Sequence, residues 1–328
     1  MIRRIVLYLW LLWVAEAQSP SSAEACTRAL NITNFISSAL FNDRTADALQ
    51  ANATIAYDAE QPVTTDQIDY MPQISYAAFQ TEGLLSAANY GGGQAGEVFN
   101  VLRGLNQTSQ LGDPSRFSGN NITEAYTMWA TPWIELAEGL IERANTFDSP
   151  RMDKIKADML FRASQYLFAS QWPFPVSDQA LQANKKSREA FNEYLNLKAK
   201  TDGYEVFTDL SLPYSNGTVE VGMPAVFVTP DSSKRLPLII LNTGTDYPIP
   251  AIWPIGGADA VDNGYAVLAF EGPGQGDVKR YEPYMPLVPR WDTVIDAVLD
   301  AISDDARIQN LISADDTFLM GVSLVGID

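Results

Sequence analysis

The chain has 328 residues, and its 22 basic and 40 acidic side chains give a formal net charge of −18 at pH 7. Nucleic acid is therefore not an expected partner, because phosphate recognition needs basic surfaces. There is no histidine, so any mechanism that uses imidazole as base, acid or metal ligand is excluded for these residues alone. The single cysteine, Cys26, has no partner within the sequence.

The first seventeen residues have the pattern of a secretory signal peptide. Two arginines at positions 3 and 4 precede the apolar run IVLYLWLLWV, and the cleavage pattern AEA follows and ends at Ala17. The apolar run is shorter than the ~20 residues that a membrane-spanning helix needs. The sequence therefore predicts a secreted protein that is cleaved after Ala17 and has no membrane span.

Five N-x-S/T acceptor triplets lie beyond this signal. They begin at Asn31, Asn52, Asn106, Asn121 and Asn216. One such triplet means little, but five of them behind a signal peptide predict a glycosylated protein with these asparagines at its surface.

From about residue 22 to residue 197 the sequence has the periodicity of helices joined by polar loops. In IKADMLFRASQYLFAS, helical spacing predicts one face made of Met159, Ala163, Tyr166, Leu167 and Ser170. Two prolines soon afterwards should break this helix. A further helix is expected from residue 184 to about residue 200, and YGGGQAGE should be a turn that starts a helix at Ala95.

After Gly203 the pattern changes to strands. The runs YEVFTDLSLPY, MPAVFVTP, LPLIILNTG and YAVLAFEGPGQG are short, apolar or β-branched, and closed by Pro, Gly or Asn. An amphipathic helix follows, with one apolar face predicted from Trp291, Val294, Ile295, Val298, Leu299 and Ile302. The alternation predicts an α/β fold with a mostly parallel sheet. We expect a helical domain over residues 18–202 and an α/β core over residues 203–328.

Two glycine-rich stretches carry no cofactor signature. EGPGQG has a proline within its glycine series, lacks the last glycine of a dinucleotide fingerprint, and precedes residues that are not expected to open a helix. We interpret it as a tight structural turn at the end of a strand. YGGGQAGE lacks the G-K-[ST] of a phosphate loop. No cofactor or metal site is predicted.

The candidate catalytic residue is Ser323. TFLMG is a short strand that leads directly into it, and the end of a strand is where an α/β sheet presents its chemistry. GVSL matches the first four positions of the nucleophile elbow G-x-S-x-G, whose tight turn needs small flanking residues. The fifth position is Val325 instead of glycine, which is a departure from the motif.

From about residue 75 to residue 324 the chain resembles the α/β-hydrolases with an N-terminal helical cap. This group contains the fungal yellowish-green pigment polyketide hydrolase and the dihydropseudooxynicotine hydrolases. The matching segments are RASQYLFAS before the core, LIILNTGTDYP at the third strand, AFEGPGQG at the fourth and GVSL at the fifth. The resemblance implies that residues 203–328 form the first half of an α/β-hydrolase sheet.

The resemblance also implies roles for individual residues. Ser323 would attack a carbonyl carbon, while the backbone N–H of Leu324 and one from the loop of Gly244 and Thr245 would bind the oxyanion. The helical domain would cover the site. Four of its aromatic residues either line the substrate pocket or belong to the core: Trp129, Trp133, Tyr166 and Trp172.

The other two members of a catalytic triad are missing. In this fold the Asp or Glu and the His follow the nucleophile in the chain, and the sequence has no histidine. We therefore expect a truncated form of a longer hydrolase, in which VGID is intron sequence translated in frame.

Three hypotheses about function stay open at this stage. The first is a secreted serine hydrolase for a small ester, amide or polyketide-like substrate, incompetent as the given chain. The second is a noncatalytic secreted binding glycoprotein or a decayed hydrolase. The third is a structural surface glycoprotein in which Ser323 is incidental. The oligomeric state is not predicted.

Overall fold

A computed structural model describes residues 83–85, 87–88, 91–107, 122–171 and 178–321. Residues 1–17, which were predicted to be a signal peptide, Cys26 and the segment from residue 322 onward lie outside these residues. No helix in the described part has both the length and the apolarity that crossing a membrane requires.

The first part of the chain is helical, as predicted. The long helices among the described residues of this part are α1 (Ala95–Gln107), α2 (Ile122–Asn145), α3 (Asp153–Gln171) and α4 (Asp178–Asp202). Helix α1 begins at the predicted Ala95. Helix α4 begins at Asp178, six residues before the predicted start at residue 184.

Five strands follow in the described residues, each overlapping a predicted run, although β5 begins five residues before the predicted start at Thr317. They are β1 (Glu205–Ser215), β2 (Glu220–Thr229), β3 (Leu236–Asn242), β4 (Ala266–Phe270) and β5 (Ile312–Gly321). The connections contain α5 (Ile249–Ile252), a π-helical turn (Trp253–Gly257), α6 (Ala258–Asp262), α7 (Gly276–Tyr281), α8 (Trp291–Asp304) and α9 (Ala306–Gln309).

The five strands form one mixed sheet in the order β1-β2-β4-β3-β5. Strand β2 is antiparallel to both β1 and β4, whereas β3 is parallel to both β4 and β5. Among the described strands, β2 alone therefore runs against the common direction. The predicted fold class, a helical region followed by a mostly parallel α/β sheet, is confirmed.

Helices cover both faces of the sheet. On one face, the predicted apolar side of α8 packs against β1 to β4 and buries Trp291, Val294, Val298 and Ile302. On the other face, Phe161 of α3 and Phe191 of α4 pack on β2 and on the α5 region. The helical region is thus part of the core.

Helix α3 is more deeply buried than its sequence indicates. Every residue from 160 to 171 is buried, whereas the periodicity predicted a single buried face. Helices α2 and α4 flank α3, and the α5 region contacts it as well. Because three elements surround the second half of α3, its polar residues are buried along with its apolar ones.

Strand β5 is an edge strand among the described strands, and its pairing with β3 is interrupted. The register passes from Pro237 opposite Ser313 to Leu238 opposite Thr317, which leaves residues 314–316 unpaired and exposed. Two side-chain hydrogen bonds close this bulge, from Ser313 Oγ to Asp316 and from Thr317 Oγ1 to the carbonyl of Ala314.

Candidate active site

Three parallel strands end together at one edge of the sheet. Asn242, the last residue of β3, is opposite Phe270 of β4 on one side and opposite Gly321 of β5 on the other. The loop after β3, the turn after β4 and the chain that follows β5 all leave from this edge. Ser323 and Leu324 are outside the described residues, but Gly321 brings the chain to within two positions of the serine.

The loop after β3 contains the predicted oxyanion residues. Gly244 is buried and Thr245 is half-buried. The hydroxyl oxygen of Thr245 is itself buried and has no hydrogen-bond partner in the described part of the chain. Buried polar atoms are normally paired, so the structure leaves this hydroxyl with unused hydrogen-bonding capacity.

The turn after β4 is built from buried residues, as the interpretation of EGPGQG predicted. All residues from 271 to 276 are buried. Gly274 has a φ of +72°, and a Cβ there would lie 2.6 Å from the Cα of Leu287. Only glycine fits such a combination of left-handed backbone and close approach.

One premise about this turn was wrong. The residues after EGPGQG were not expected to open a helix, yet α7 begins at Gly276. The helix is only six residues long. The turn that precedes it is filled by its own side chains, Glu271 and Gln275, each of which is buried and hydrogen-bonded.

Gln275 connects the turn to strand β3. Its Oε1 accepts hydrogen bonds from Asn242 Nδ2 (3.0 Å), Thr243 Oγ1 (3.3 Å) and the backbone N–H of Gly272 (2.8 Å). Its Nε2 donates to the carbonyl of Thr243 at 2.5 Å. Trp291 Nε1 completes the group by donating to Asn242 Oδ1 at 3.0 Å.

Glu271 connects the same turn to other elements. One carboxylate oxygen accepts from the guanidinium of Arg188 and from the backbone N–H of Ile249 (2.7 Å), and the other from the N–H of Asp277 (2.5 Å). Arg188 also pairs with the Asp277 carboxylate at 2.9 Å. Burial raises the pKa of the fully buried Glu271 carboxyl above its ordinary value, and the charge of Arg188 opposes this rise.

The helical region contacts the loop after β3 directly. Gln165 of α3 is buried and donates through Nε2 to the carbonyl of Pro250 at 2.7 Å. The rings of Phe168 and Tyr247 are 5.3 Å apart between centroids. The loop therefore lies between α3 and the turn after β4.

Three of the four aromatic residues that were candidates for a substrate pocket belong to the core. Trp129, Trp133 and Tyr166 are at most 1% exposed and contact one another, with centroid distances of 5.5 and 5.8 Å. Trp129 Nε1 donates to the carbonyl of Ala169 at 2.9 Å. Trp172 lies outside the described residues.

Two of the five predicted glycosylation sites fall on described residues. Asn216 is exposed in the turn between β1 and β2, where its Oδ1 accepts from the N–H groups of Thr218 and Val219, each at 2.9 Å. Asn106 lies in the last turn of α1. Asn31, Asn52 and Asn121 are outside the described part of the chain.

The described residues contain no group of three or more acidic, histidine or cysteine side chains arranged to hold a metal ion. The polar groups that the structure places at this edge are backbone donors, hydroxyls and the two buried networks of Glu271 and Gln275.

Sequence reasoning missed the three side chains that organise this edge. Glu271 and Gln275 carried a signal, because a polar residue immediately after an apolar strand must be paired or exposed. Arg188 carried none: it sits within a charged helix, 83 positions away in sequence from the carboxylate that it contacts.

In comparisons with known proteins, the chain is similar to hydrolases. No family model matches the chain. It is 30% identical over 250 residues to hydrolase phmG of Phaeosphaeria nodorum, covering 68% of this chain and 49% of the relative. It is 29% identical over 240 residues to α/β hydrolase psoB of Aspergillus fumigatus, covering 69% and 47%. The chain thus spans about half the length of the curated relatives it matches.

Among solved structures, 2,6-dihydroxy-pseudo-oxynicotine hydrolase is similar in fold. The TM-score is 0.52 at 17% sequence identity, with 73% of this chain and 58% of that chain covered. The sheet order, the helices on both faces and this likeness show the α/β-hydrolase fold. With the fungal relatives, the chain belongs to the α/β-hydrolases of the group that includes these fungal hydrolases and the pseudo-oxynicotine enzyme.

Proposed function

We propose that this chain carries the nucleophile and the oxyanion site of a secreted serine hydrolase that cleaves a small ester, amide or activated carbon–carbon bond. Ser323 is the proposed nucleophile. The backbone N–H of Leu324 and one from the loop of Gly244 and Thr245 are the proposed oxyanion donors.

The pairing of β3 with β5 carries this proposal. Asn242 and Gly321 are opposite each other in parallel strands. In sequence, Gly244 and Ser323 are each two positions beyond that pair, and the strands that precede them are parallel. This register supports the proposal that the serine and the proposed oxyanion donors act at the same edge of the sheet.

The loop itself supports the same role. Gly244 has no side chain to cover its N–H, and the buried Thr245 hydroxyl has no partner among the described residues. An oxyanion site needs donors that are already in place and shielded from water before charge develops. A loop packed between α3 and the turn after β4 provides both conditions.

The chemistry is acyl transfer. Ser323 Oγ would bond to the substrate carbonyl carbon, the carbonyl electrons would move onto oxygen, and the oxyanion donors would bind that charge. Collapse would expel the leaving group, and water would then release the acyl group from the serine. A general base would take the serine proton and pass it to the leaving group, and that base is not a histidine of this sequence, which has none.

Secretion and glycosylation belong to the same proposal. The signal pattern at residues 1–17 and the five acceptor triplets support them. The exposed position of Asn216 in a turn is compatible with a glycan there. A polyketide-like substrate is proposed from the resemblance to the pigment hydrolase group.

The test has two stages. Sequencing the transcript across the codon of Leu324 establishes which residues follow the serine in the expressed protein. A fluorophosphonate probe is then applied to the protein expressed from that transcript. We expect the unchanged protein to be labelled and Ser323→Ala to abolish the labelling. The control is Ser303→Ala, which changes an exposed serine of α8 and should leave the labelling intact. Equal labelling of both variants, or none in the unchanged protein, would contradict the proposal.

A further inference from the structure

A single buried carboxylate joins two loops at the edge where the strands end. Glu271 accepts the N–H of Ile249, where the loop after β3 enters α5, and the N–H of Asp277, in the first turn of α7. Each bond uses a different oxygen of the carboxylate. The side chain therefore fixes the distance between the two loops.

Helix α4 holds this carboxylate from the helical region. Arg188 reaches both Glu271 and Asp277, and Asn184 Nδ2 donates to Asp277 Oδ1 at 2.5 Å. Glu271 is completely buried, and the side chains of Arg188 and Asp277 are 16% and 12% exposed. The three hydrogen bonds to the Glu271 carboxylate all come from N–H donors of different residues, so its orientation is fixed.

The loop after β3 is consequently anchored at both of its ends by one turn. Gln275 binds Thr243 at the start of the loop, through the carbonyl and the hydroxyl. Glu271 binds Ile249 at its end. Gly244 and Thr245 lie between these two anchors.

We propose that Glu271 is a positioning residue for the oxyanion loop, and that Arg188 makes helix α4 part of the framework of the active site. This inference rests on the proposed function, because it assigns a purpose to the loop that the function requires. Glu271 acts through the backbone of Ile249 and touches no reacting atom.

A positioning residue matters because transition-state stabilisation tolerates only small displacements of the donor groups. Oxyanion donors act only when their N–H groups are aimed at the place where charge develops. A displacement of 1 Å far from the reacting atoms is enough to cost about 100-fold in rate. A buried ion pair adds little to stability compared with apolar residues of the same volume, so a positioning role accounts for its presence better than stability does.

Three substitutions separate positioning from stability. Glu271→Gln keeps the shape, but its NH2 group faces one of the two backbone N–H donors, so one loop loses its acceptor. Arg188→Met removes the cation that orients the carboxylate, and Arg188→Lys restores the charge. The control is Lys186→Met, which breaks a surface ion pair between the same helix and Glu138 of α2.

The measurements use the protein expressed from the native transcript. They are the rate at which a fluorophosphonate labels Ser323, and kcat and KM for a p-nitrophenyl ester. We expect Glu271→Gln and Arg188→Met to slow labelling and lower kcat by about tenfold or more while KM changes little, because the lost alignment matters in the transition state. Arg188→Lys should recover part of the loss, and Lys186→Met should match the unchanged protein.

Amide hydrogen exchange at Ile249 and Asp277 gives a readout that does not depend on activity. We expect faster exchange at one or both amides in Glu271→Gln and no change in Lys186→Met. A lower melting temperature with unchanged labelling and kcat per folded molecule would overturn the inference and leave the proposed function intact. An unchanged protein whose Ser323 is not labelled would instead overturn the proposed function, and the positioning role with it.

Discussion

The turn after β4 contains two buried polar networks that differ in charge and in the elements they join. The Gln275 network is neutral and joins β3, the turn and α8, all of which belong to the sheet and its covering helix. The Glu271 network is charged and extends to α4 in the helical region. The neutral network satisfies backbone groups within the core, whereas the charged one joins elements that are far apart in sequence.

The difference between the two networks follows from the charge of the central side chain. A buried amide provides both donors and acceptors, so Gln275 pairs with its neighbours without a counter-ion. A buried carboxylate needs a cation and several donors, and these come from separate elements. The geometry of the charged network therefore depends on where helix α4 lies relative to the sheet.

The largest effect is expected for Gln275→Leu. The change leaves the Gly272 N–H, the Asn242 amide and the Thr243 carbonyl without their buried partner, and each unpaired group costs about 1–3 kcal/mol. We expect a loss of about 3–5 kcal/mol in the free energy of unfolding, measured by urea denaturation. Gln309→Leu, which removes a single half-buried hydrogen bond to Ile302, should cost no more than about 1 kcal/mol.

A second prediction concerns the pH dependence that Glu271 gives to stability. Its folded-state pKa is raised above the ordinary 4.5, chiefly by burial, while Arg188 lowers it and Asp277 raises it. The folded state then holds the proton more tightly than the unfolded state, so the contribution of Glu271 is present below the ordinary pKa and is lost as pH rises through the folded one.

Urea unfolding of the unchanged protein and of Glu271→Gln, over a pH series from about 4 to 8, measures this contribution. The stability of the unchanged protein relative to the variant should fall with rising pH. A relative stability that rises over the same range would show that Arg188 outweighs burial. Glu138→Gln, which neutralises a half-exposed carboxylate of α2, is the control for a simple loss of charge.

The neutral network can be tested at its far end with Trp291→Phe. The ring is largely retained, but Asn242 Oδ1 loses its donor in a buried position. We expect a cost of about 1–2 kcal/mol. In the Gln275→Leu background the same change should cost less, because Asn242 is already mispaired there. Equal costs in the two backgrounds would show that the two ends of the network are independent.

The smallest effect is expected at Asp231, an exposed carboxylate in the connection between β2 and β3. Its pKa is lowered to about 2, mainly by its hydrogen bond to Lys234 and also by those from Ser233. Its contribution is therefore present above the ordinary value of 3.8 and is lost as pH falls toward 2. Asp231→Asn should remove this small dependence, whose sign is opposite to that of Glu271, in the same urea series.

Much of the fold was predictable from local pattern. The runs that became β2, β3 and β4 are β-branched and apolar, and the six residues predicted for the inner face of α8 are buried or half-buried. Local cues failed where tertiary contacts decide. Gly276 gave no sign of a helix start, and the all-round burial of α3 depends on three neighbours that a periodicity cannot show.

The candidate site was predictable only in outline. The position of Ser323 after a strand, and of Gly244 and Thr245 after another, followed from the motifs and their resemblance. The pairing of Arg188 with Glu271 did not, since a charged residue on a helix is usually solvated and the partner is remote in sequence. Long-range pairing of this kind becomes visible only once helix and sheet are placed together.

The bulge in β5 affects how the sheet could be extended beyond this strand, which is at its edge among the described strands. The uninterrupted pairing of β5 with β3 begins only at Thr317, after the bulge, and adding a further strand also needs regular strand backbone. Asp315 and Asp316 are exposed at the bulge, and inserted residues and charges of this kind discourage unwanted strand addition. The regular half of β5, from Thr317 to Gly321, is therefore where a further strand would add to the sheet, and this would place the added strand beside the candidate active site.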